Sequence, residues 1–134
     1  MLNRPRKTKY TKIHKGNLKN LDYKANCLTF GTIGLKSTES GSVNSKQIES
    51  ARQAIARKIK RQGKVWIRIF PQIPVSAKST GVRMGKGKGN VSHWVAKVKN
   101  GTVLFEICGI EMKVALIAFR TGGAKLPVNT KIFT

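Results

Sequence analysis

The chain has 134 residues, a length that suits one domain with a modest hydrophobic core. Its 27 lysines and arginines face only five acidic residues, which gives a formal net charge of +22, and an apolar fraction of 40% is still enough to fold. Such a charge predicts a polyanionic partner. No apolar run approaches the ~20 residues of a membrane-spanning helix, so we expect nucleic acid rather than a membrane.

The N-terminal part divides into a basic arm at residues 1–20 and the start of a single α+β domain at residues 21–134. The arm is predicted to be extended and to become ordered only on its partner. Alternating apolar residues at 27–35 predict a strand, and the Ser- and Gly-rich run 37–42 predicts a loop. The arm residues expected to contact nucleic acid are Arg4, Arg6, Lys7, Lys9, Lys12, His14 and Lys15.

A helix is predicted from Ser45 to about Gln62. Asn44 and Gln47 have the spacing of a capping box at its start, and Gly63 follows as a C-terminal stop. Glu49 is the only acid on the helix, so the alternating charges of an ordinary solvated face are missing. We therefore favour phosphate contact for the polar face, which consists of Lys46, Gln53, Arg57, Lys60 and Arg61.

Downstream, the patterns predict strands at 64–70, 93–99, 102–107 and 128–133 and a second helix from Glu111 to about Arg120. Pro71 and Pro74 predict irregular chain as far as residue 82. Asn100-Gly101 is the favoured two-residue turn between adjacent strands. The expected fold is an α+β sandwich, a mostly antiparallel sheet with two helices packed on it, with the basic arm and a long Gly/Lys loop.

Cysteine and histidine lack the spacing of a metal site, because Cys27 and Cys108 lie far apart and the two histidines are scattered. We expect no metal and no cofactor, and we expect both cysteines to be buried or half-buried. Trp66 and Trp94 are predicted to belong to the core rather than to stack on bases.

The most informative segment is the loop Arg83-Met84-Gly85-Lys86-Gly87-Lys88-Gly89-Asn90. Its glycines allow positive φ and a close approach to a partner, and its lysines supply cations. It is not a Walker A loop, because no hydroxyl residue follows either lysine, and its third glycine comes one residue too early for a dinucleotide fingerprint. The net charge favours an anion-binding loop over a merely solvated one.

Six blocks of the sequence resemble the bacterial-type large-subunit ribosomal protein L-sixteen family, in that family's order and spacing. With the basic start Arg4-Pro5-Arg6-Lys7-Thr8, the resemblance spans almost the whole chain. The blocks are Gln47-Ile48-Glu49-x-Ala51-Arg52-x-Ala54, Lys64-x-Trp66-Ile67-Arg68-Ile69-Phe70-Pro71, residues 82–90, Trp94-Val95-Ala96, Val103-Leu104-Phe105-Glu106 and Ala124-Lys125-Leu126-Pro127.

The resemblance implies a structural constituent of the large ribosomal subunit that is not an enzyme and joins late in assembly. Its partners would be large-subunit rRNA, aminoacyl-tRNA at the A site and neighbouring ribosomal proteins, with no membrane and no homo-oligomer. The loop Arg83, Met84, Gly85, Lys86, Gly87, Lys88 and Gly89 would reach toward the tRNA acceptor arm, and the family carries a hydroxyl modification at the position of Arg83 in some bacteria. Beyond the arm, the implied rRNA contacts are Arg52, Arg57, Lys60, Arg61, Lys64 and Arg68.

The sequence departs from the family at residues 17–26, which match it poorly, and at the end of the second helix. Residues 120–123 replace an Ala-rich helical turn with Arg-Thr-Gly-Gly, which predicts a frayed helix end. Lysine outnumbers arginine 19 to 8, as in AT-rich coding sequences, and we expect no targeting extension before the basic start. We expect a mitochondrial ribosome, with a bacterial cytoplasm or a plastid as alternatives. The competing function is a free-standing nucleic-acid-binding regulator or RNA chaperone.

Overall fold

A computed structural model describes residues 4–134. Seven strands and two helices follow one another within them, which confirms the α+β prediction. Their bounds are β1 Ile33–Ser37, β2 Gly41–Asn44, α1 Ser45–Lys58, β3 Lys64–Ile67, β4 Ile73–Ala77, β5 Asn90–Val98, β6 Val103–Cys108, α2 Met112–Gly123 and β7 Thr130–Phe133.

The strands form two antiparallel sheets instead of one. The four-stranded sheet has the order β3-β6-β1-β7, and the three-stranded sheet has the order β2-β5-β4. Both helices pack on this framework and against each other. The buried core includes Leu35, Val43, Ile55, Phe105 and Phe119.

The capping box at the start of α1 is confirmed. The Asn44 side chain accepts the Lys46 N–H at 3.3 Å, and the Gln47 side chain accepts the Asn44 N–H at 2.9 Å. The predicted end at Gln62 is wrong, because the helix ends at Lys58. Two non-glycine residues beyond it, Lys60 and Arg61, have left-handed φ values of 50° and 64° and turn the chain away from the helix axis.

Four predictions of strands and loops need correction. The strand predicted at 64–70 ends at Ile67. The strand predicted at 27–35 begins only at Ile33. Residues 29–31 instead lie over the sheet and donate their backbone N–H groups to the buried carboxylate of Glu106. The loop predicted at 37–42 contains the start of β2. Pro74 lies inside β4, where irregular chain was predicted. A proline is tolerated there because β4 is an edge strand, so its missing N–H costs no ladder bond.

The turn at Asn100-Gly101 is confirmed, but the strands on either side of it do not pair. β5 belongs to the three-stranded sheet and β6 to the four-stranded sheet. The segment around Asp22 separates them, because the Asp22 N–H donates to the Asn100 carbonyl at 2.9 Å and the Thr102 hydroxyl donates to the Asp22 carboxylate at 2.8 Å. The Val103 N–H donates to the Ala25 carbonyl instead of to β5.

The second helix includes both glycines that were expected to fray it, and it ends at Gly123. Gly122 is buried against α1, and a Cβ built on it would lie 2.5 Å from Ile55 Cγ1. The residue therefore permits a close helix–helix contact, which the general cost of glycine in helices does not predict. Two burial predictions are also wrong: Cys27 is exposed, and the half-buried Trp66 and Trp94 lie outside the core.

Candidate nucleic-acid interface

The carboxylates of this protein mostly hold its own backbone and leave the cations free. Within residues 4–134 two ion pairs form, Arg52–Glu49 and Arg68–Glu106, each at 2.6 Å. Glu39 accepts the Asn129 N–H at 2.7 Å. The remaining lysines and arginines of the described chain have no carboxylate partner within 4.0 Å, so the surface has a strong positive potential.

The Gly/Lys loop connects β4 to β5 and is exposed along residues 81–88. Gly85 and Gly87 have φ values of 102° and 79°, and a Cβ built on either would meet no atom within 4 Å. Lys86 between them also has a left-handed φ, 52°. Gly89 differs, because it lies hard against the Ala77 backbone, where a side chain would clash. The tip is thus open, and its base is tightly packed.

The basic arm contacts this loop through a reciprocal pair of hydrogen bonds. Lys12 Nζ donates to the Lys88 carbonyl, and Lys88 Nζ donates to the Ile13 carbonyl, both at 2.7 Å. Further along, Lys97 Nζ donates to the Gly16 carbonyl at 3.1 Å. Residues 4–20 contain no helix or strand. The structure therefore brings the arm and the loop together, and Lys88 serves the contact between them while Lys86 stays at the exposed tip.

Five of the predicted contact residues line one concavity on α1. It measures about 530 Å³ and is lined by Arg52, Gln53, Ala56, Arg57, Lys60 and Arg61. The ion pair of Arg52 with Glu49 fixes one edge and lowers the pKa of that carboxyl. The left-handed turn after α1 places Lys60 and Arg61 at the other edge. A concave surface with several unpaired cations suits a phosphate backbone.

The start of the arm forms a second concavity, of about 480 Å³. Its lining is Arg4, Pro5, Arg6, Thr8 and the half-buried Trp94. Two guanidinium groups beside an indole offer both phosphate and base contacts. The other predicted arm residues, Lys7, Lys9, His14 and Lys15, are exposed.

The last two predicted residues, Lys64 and Arg68, lie at β3 in different surroundings. Lys64 is exposed, but Arg68 Nη1 donates to Glu106 at 2.6 Å and its side chain is only 19% exposed. The Arg68 guanidinium also lies 5.1 Å from the Phe30 ring centroid. In the free protein Arg68 therefore pairs with the buried carboxylate of Glu106.

Glu106 is fully buried, and the sequence analysis did not predict its role. Its carboxylate accepts the backbone N–H groups of Phe30 and Gly31 at 2.7 Å and of Thr29 at 3.3 Å. Burial raises the pKa of Glu106, but these backbone donors and the Arg68 charge together hold it below its ordinary value. The glutamate thus fixes residues 29–31 on the outer face of the four-stranded sheet.

The described residues include no helix that is long and apolar enough to cross a membrane. Within the same part of the chain, no three His, Cys, Asp or Glu side chains come together as a metal site would require. The chemistry that the arrangement offers is the binding of phosphates by cations and of bases by exposed aromatic rings.

Comparison with known proteins identifies the family. A sequence model of ribosomal protein L16p/L10e matches residues 5–133. Proteins called large ribosomal subunit protein uL16 from Cereibacter sphaeroides (strain ATCC 17029) and Rhizobium rhizogenes (strain K84) are each 52% identical, and the alignments cover 96% and 95% of this chain and 93% of each relative. The uL16 of Stenotrophomonas maltophilia (strain K279a) is 48% identical over 97% of this chain and 95% of that protein. These relatives are bacterial and do not support the expected mitochondrial source. The chain therefore belongs to the ribosomal protein L16p/L10e family.

Proposed function

We propose that this chain is a structural constituent of the large ribosomal subunit that binds large-subunit rRNA and joins late in assembly. Loop 83–89 then helps to position aminoacyl-tRNA at the A site near the peptidyl transferase centre. The protein contributes shape and charge and performs no chemistry itself. Neighbouring ribosomal proteins complete its surroundings.

The observation that carries this proposal is the open tip of the Gly/Lys loop. Gly85 and Gly87 have free space around them, and Lys86 projects between them without an internal partner within the described chain. Bare backbone can enter narrow spaces between RNA segments where side chains would clash. Recognition of folded RNA rests largely on shape and backbone contacts, which such a tip provides.

We assign the cations on the surface of the domain to rRNA and those of loop 83–89 to tRNA. The α1 concavity and the arm concavity provide the rRNA contacts, together with the exposed Lys64 at the start of β3. Each phosphate that a cation neutralises releases counterions, so the affinity for rRNA falls steeply with salt. The loop is held by Lys12 and Lys88 at its base, and binding of the arm to rRNA therefore also fixes the direction of the loop.

The test is Lys86→Glu in ribosomes that carry the variant. We expect weaker A-site tRNA binding or delayed late assembly, with an unchanged free energy of unfolding, because the side chain has no contact with the core. Lys113→Glu on α2 is the matched control, with the same charge change at an exposed position outside the loop. Normal tRNA binding and assembly with Lys86→Glu would refute the role of the loop.

The alternative is a free-standing nucleic-acid-binding regulator or RNA chaperone. Sedimentation distinguishes the two functions, because a ribosomal constituent co-migrates with the large subunit in moderate salt and a regulator stays in the free pool. The bacterial relatives favour the bacterial cytoplasm as the compartment. The bacterial relatives do not support the mitochondrial source, and a gene on a bacterial chromosome would contradict it.

A further inference from the structure

The four-stranded sheet has an outer face that points away from the helices and carries aromatic rings among lysines. Register places Trp66 opposite Glu106, Glu106 opposite Gly34, and Gly34 opposite Phe133, so these residues form one row across the sheet. Val65 and Ile67, which alternate with Trp66, pack against the core on the inner face. Because side chains two residues apart share a face, the same outer face carries Lys36, Lys64 and Lys131.

Two rings on this face stack on each other beside two cations. The Phe30 and Trp66 centroids are 6.1 Å apart, and their planes differ by 19°. Lys64 Nζ lies 5.2 Å from the Trp66 centroid, and the Arg68 guanidinium lies 5.1 Å from the Phe30 centroid. Phe30 nevertheless remains 57% exposed. Burial within the protein therefore does not explain why an aromatic ring stands at this position.

Hydrogen bonds to Glu106 fix the backbone that carries the exposed Phe30 ring. The Phe30 N–H donates to Glu106 at 2.7 Å, and so does the N–H of Gly31. A Cβ at Gly31 would lie 2.8 Å from both Glu106 Cβ and the Ile107 carbonyl oxygen, so only glycine lets the segment approach the sheet this closely. Because the buried glutamate fixes the backbone on both sides of the ring, little freedom is lost when a ligand covers it.

We propose that Phe30 and Trp66 form a stacking platform for an unpaired rRNA base, with Lys64 on the adjoining phosphate. This role rests on the proposed rRNA binding and adds a base contact to it. An RNA base fits better than a protein side chain because the surrounding charges are complementary to RNA. Lys64 lies beside the rings, and Lys36 and Lys131 lie two and three strands away on the same face. The nearby carboxylate of Glu106 is fully buried and paired. Stacking of unpaired bases on aromatic rings is how proteins usually contact single-stranded RNA.

The test separates bases from phosphates. The full-length chain is titrated with a short single-stranded ribo-oligonucleotide and with an abasic oligomer that has the same number of phosphates. We expect Phe30→Ala and Trp66→Ala to weaken binding of the base-bearing oligomer roughly tenfold or more, with little effect on the abasic oligomer. The slope of log affinity against log salt should not change, because no phosphate contact is removed.

Three variants serve as controls. Trp66→Phe keeps an aromatic ring and should restore most of the binding even if Trp66→Ala perturbs the fold. Tyr23→Ala removes a ring that is 83% exposed outside the platform and should leave both affinities unchanged. Lys64→Ala should weaken the binding of both oligomers and reduce the slope of log affinity against log salt by about one.

The proposal is overturned if Phe30→Ala binds both oligomers as the unmodified chain does. It is also overturned if that variant loses only its incorporation into large subunits while its oligomer binding stays intact, because the rings would then contact a protein. Failure of the proposed function looks different, since the unmodified chain itself would then not associate with the large subunit.

Discussion

Replacing Glu106 with glutamine tests whether one buried carboxylate holds the outer segment on the sheet. Glutamine keeps one acceptor oxygen for the N–H groups of Phe30 and Gly31, but it turns an NH2 group toward Arg68, which is itself only a donor. Removing one partner of a buried ion pair costs roughly 3–5 kcal/mol. Because the Arg68 side chain keeps 19% of its exposure and can recover some hydration, we expect about 3 kcal/mol, at the low end of that range.

That loss is a large fraction of the ~5–15 kcal/mol by which such domains are stable. It should lower the melting temperature by roughly 10 °C. The assay is equilibrium urea unfolding of the full-length chain at neutral pH, followed by circular dichroism. Glu49→Gln is the matched control, since it removes the partner of Arg52 in a more exposed ion pair, and it should cost at most ~1 kcal/mol. Equal losses for the two variants would refute the role assigned to Glu106.

The pH dependence gives an independent check on the same carboxylate. The folded protein holds the pKa of Glu106 below its ordinary value of 4.5, so the unfolded chain binds the proton more tightly. The stabilisation is therefore fully present above pH 4.5 and is lost as the pH falls through the lower folded-state value. Glu106→Gln should remove this part of the acid sensitivity. An unfolding free energy with the same dependence on acidic pH in both proteins would contradict the assignment.

Three further variants test the packing and the interface. Gly122→Ala should destabilise the fold by ~1–3 kcal/mol in thermal unfolding, because the new methyl group would meet Ile55 Cγ1 at 2.5 Å. Lys60→Gly with Arg61→Gly should raise stability by up to about 1 kcal/mol by relieving left-handed backbone, while rRNA affinity falls; a loss of stability would show that the turn is not strained. Lys88→Ala should leave stability unchanged and make the arm more sensitive to proteases, and unchanged cleavage would contradict the hydrogen bonds between arm and loop.

The local signals of the sequence succeed where short-range chemistry decides the structure. The capping box at Asn44 and the turn at Asn100-Gly101 depend on neighbouring residues alone, and both are present. They say nothing about which strands pair. β5 and β6 enter different sheets because Asp22, far away in sequence, occupies the hydrogen-bonding positions beside the turn. A distant partner of this kind leaves no trace in local periodicity.

The candidate site divides in the same way. Basic residues at α1 and on the loop are visible from composition and spacing, and the structure places them on exposed surfaces as expected. Phe30 was missed because its alternation with apolar neighbours resembles a strand. Only the fold shows that the buried Glu106 holds residues 29–31 on the outer face of the sheet, where the Phe30 ring stacks on Trp66. The one available signal was Glu106, a single acid inside the apolar strand β6. A buried carboxylate needs hydrogen-bond donors around it, so its presence there indicates that another segment packs against it.

The distribution of acids explains how a chain with a net charge of +22 can fold at all. Asp22, Glu39 and Glu106 accept backbone N–H groups from distant or neighbouring segments, so the few carboxylates hold the chain together instead of neutralising its surface. The cations are left to repel one another until an anion arrives. A polyanion that binds only the folded state stabilises it in proportion to the logarithm of its concentration. The melting temperature of the free chain should therefore rise with added RNA and, more weakly, with salt that screens the repulsion, because the electrostatic part of its stability comes from the partner.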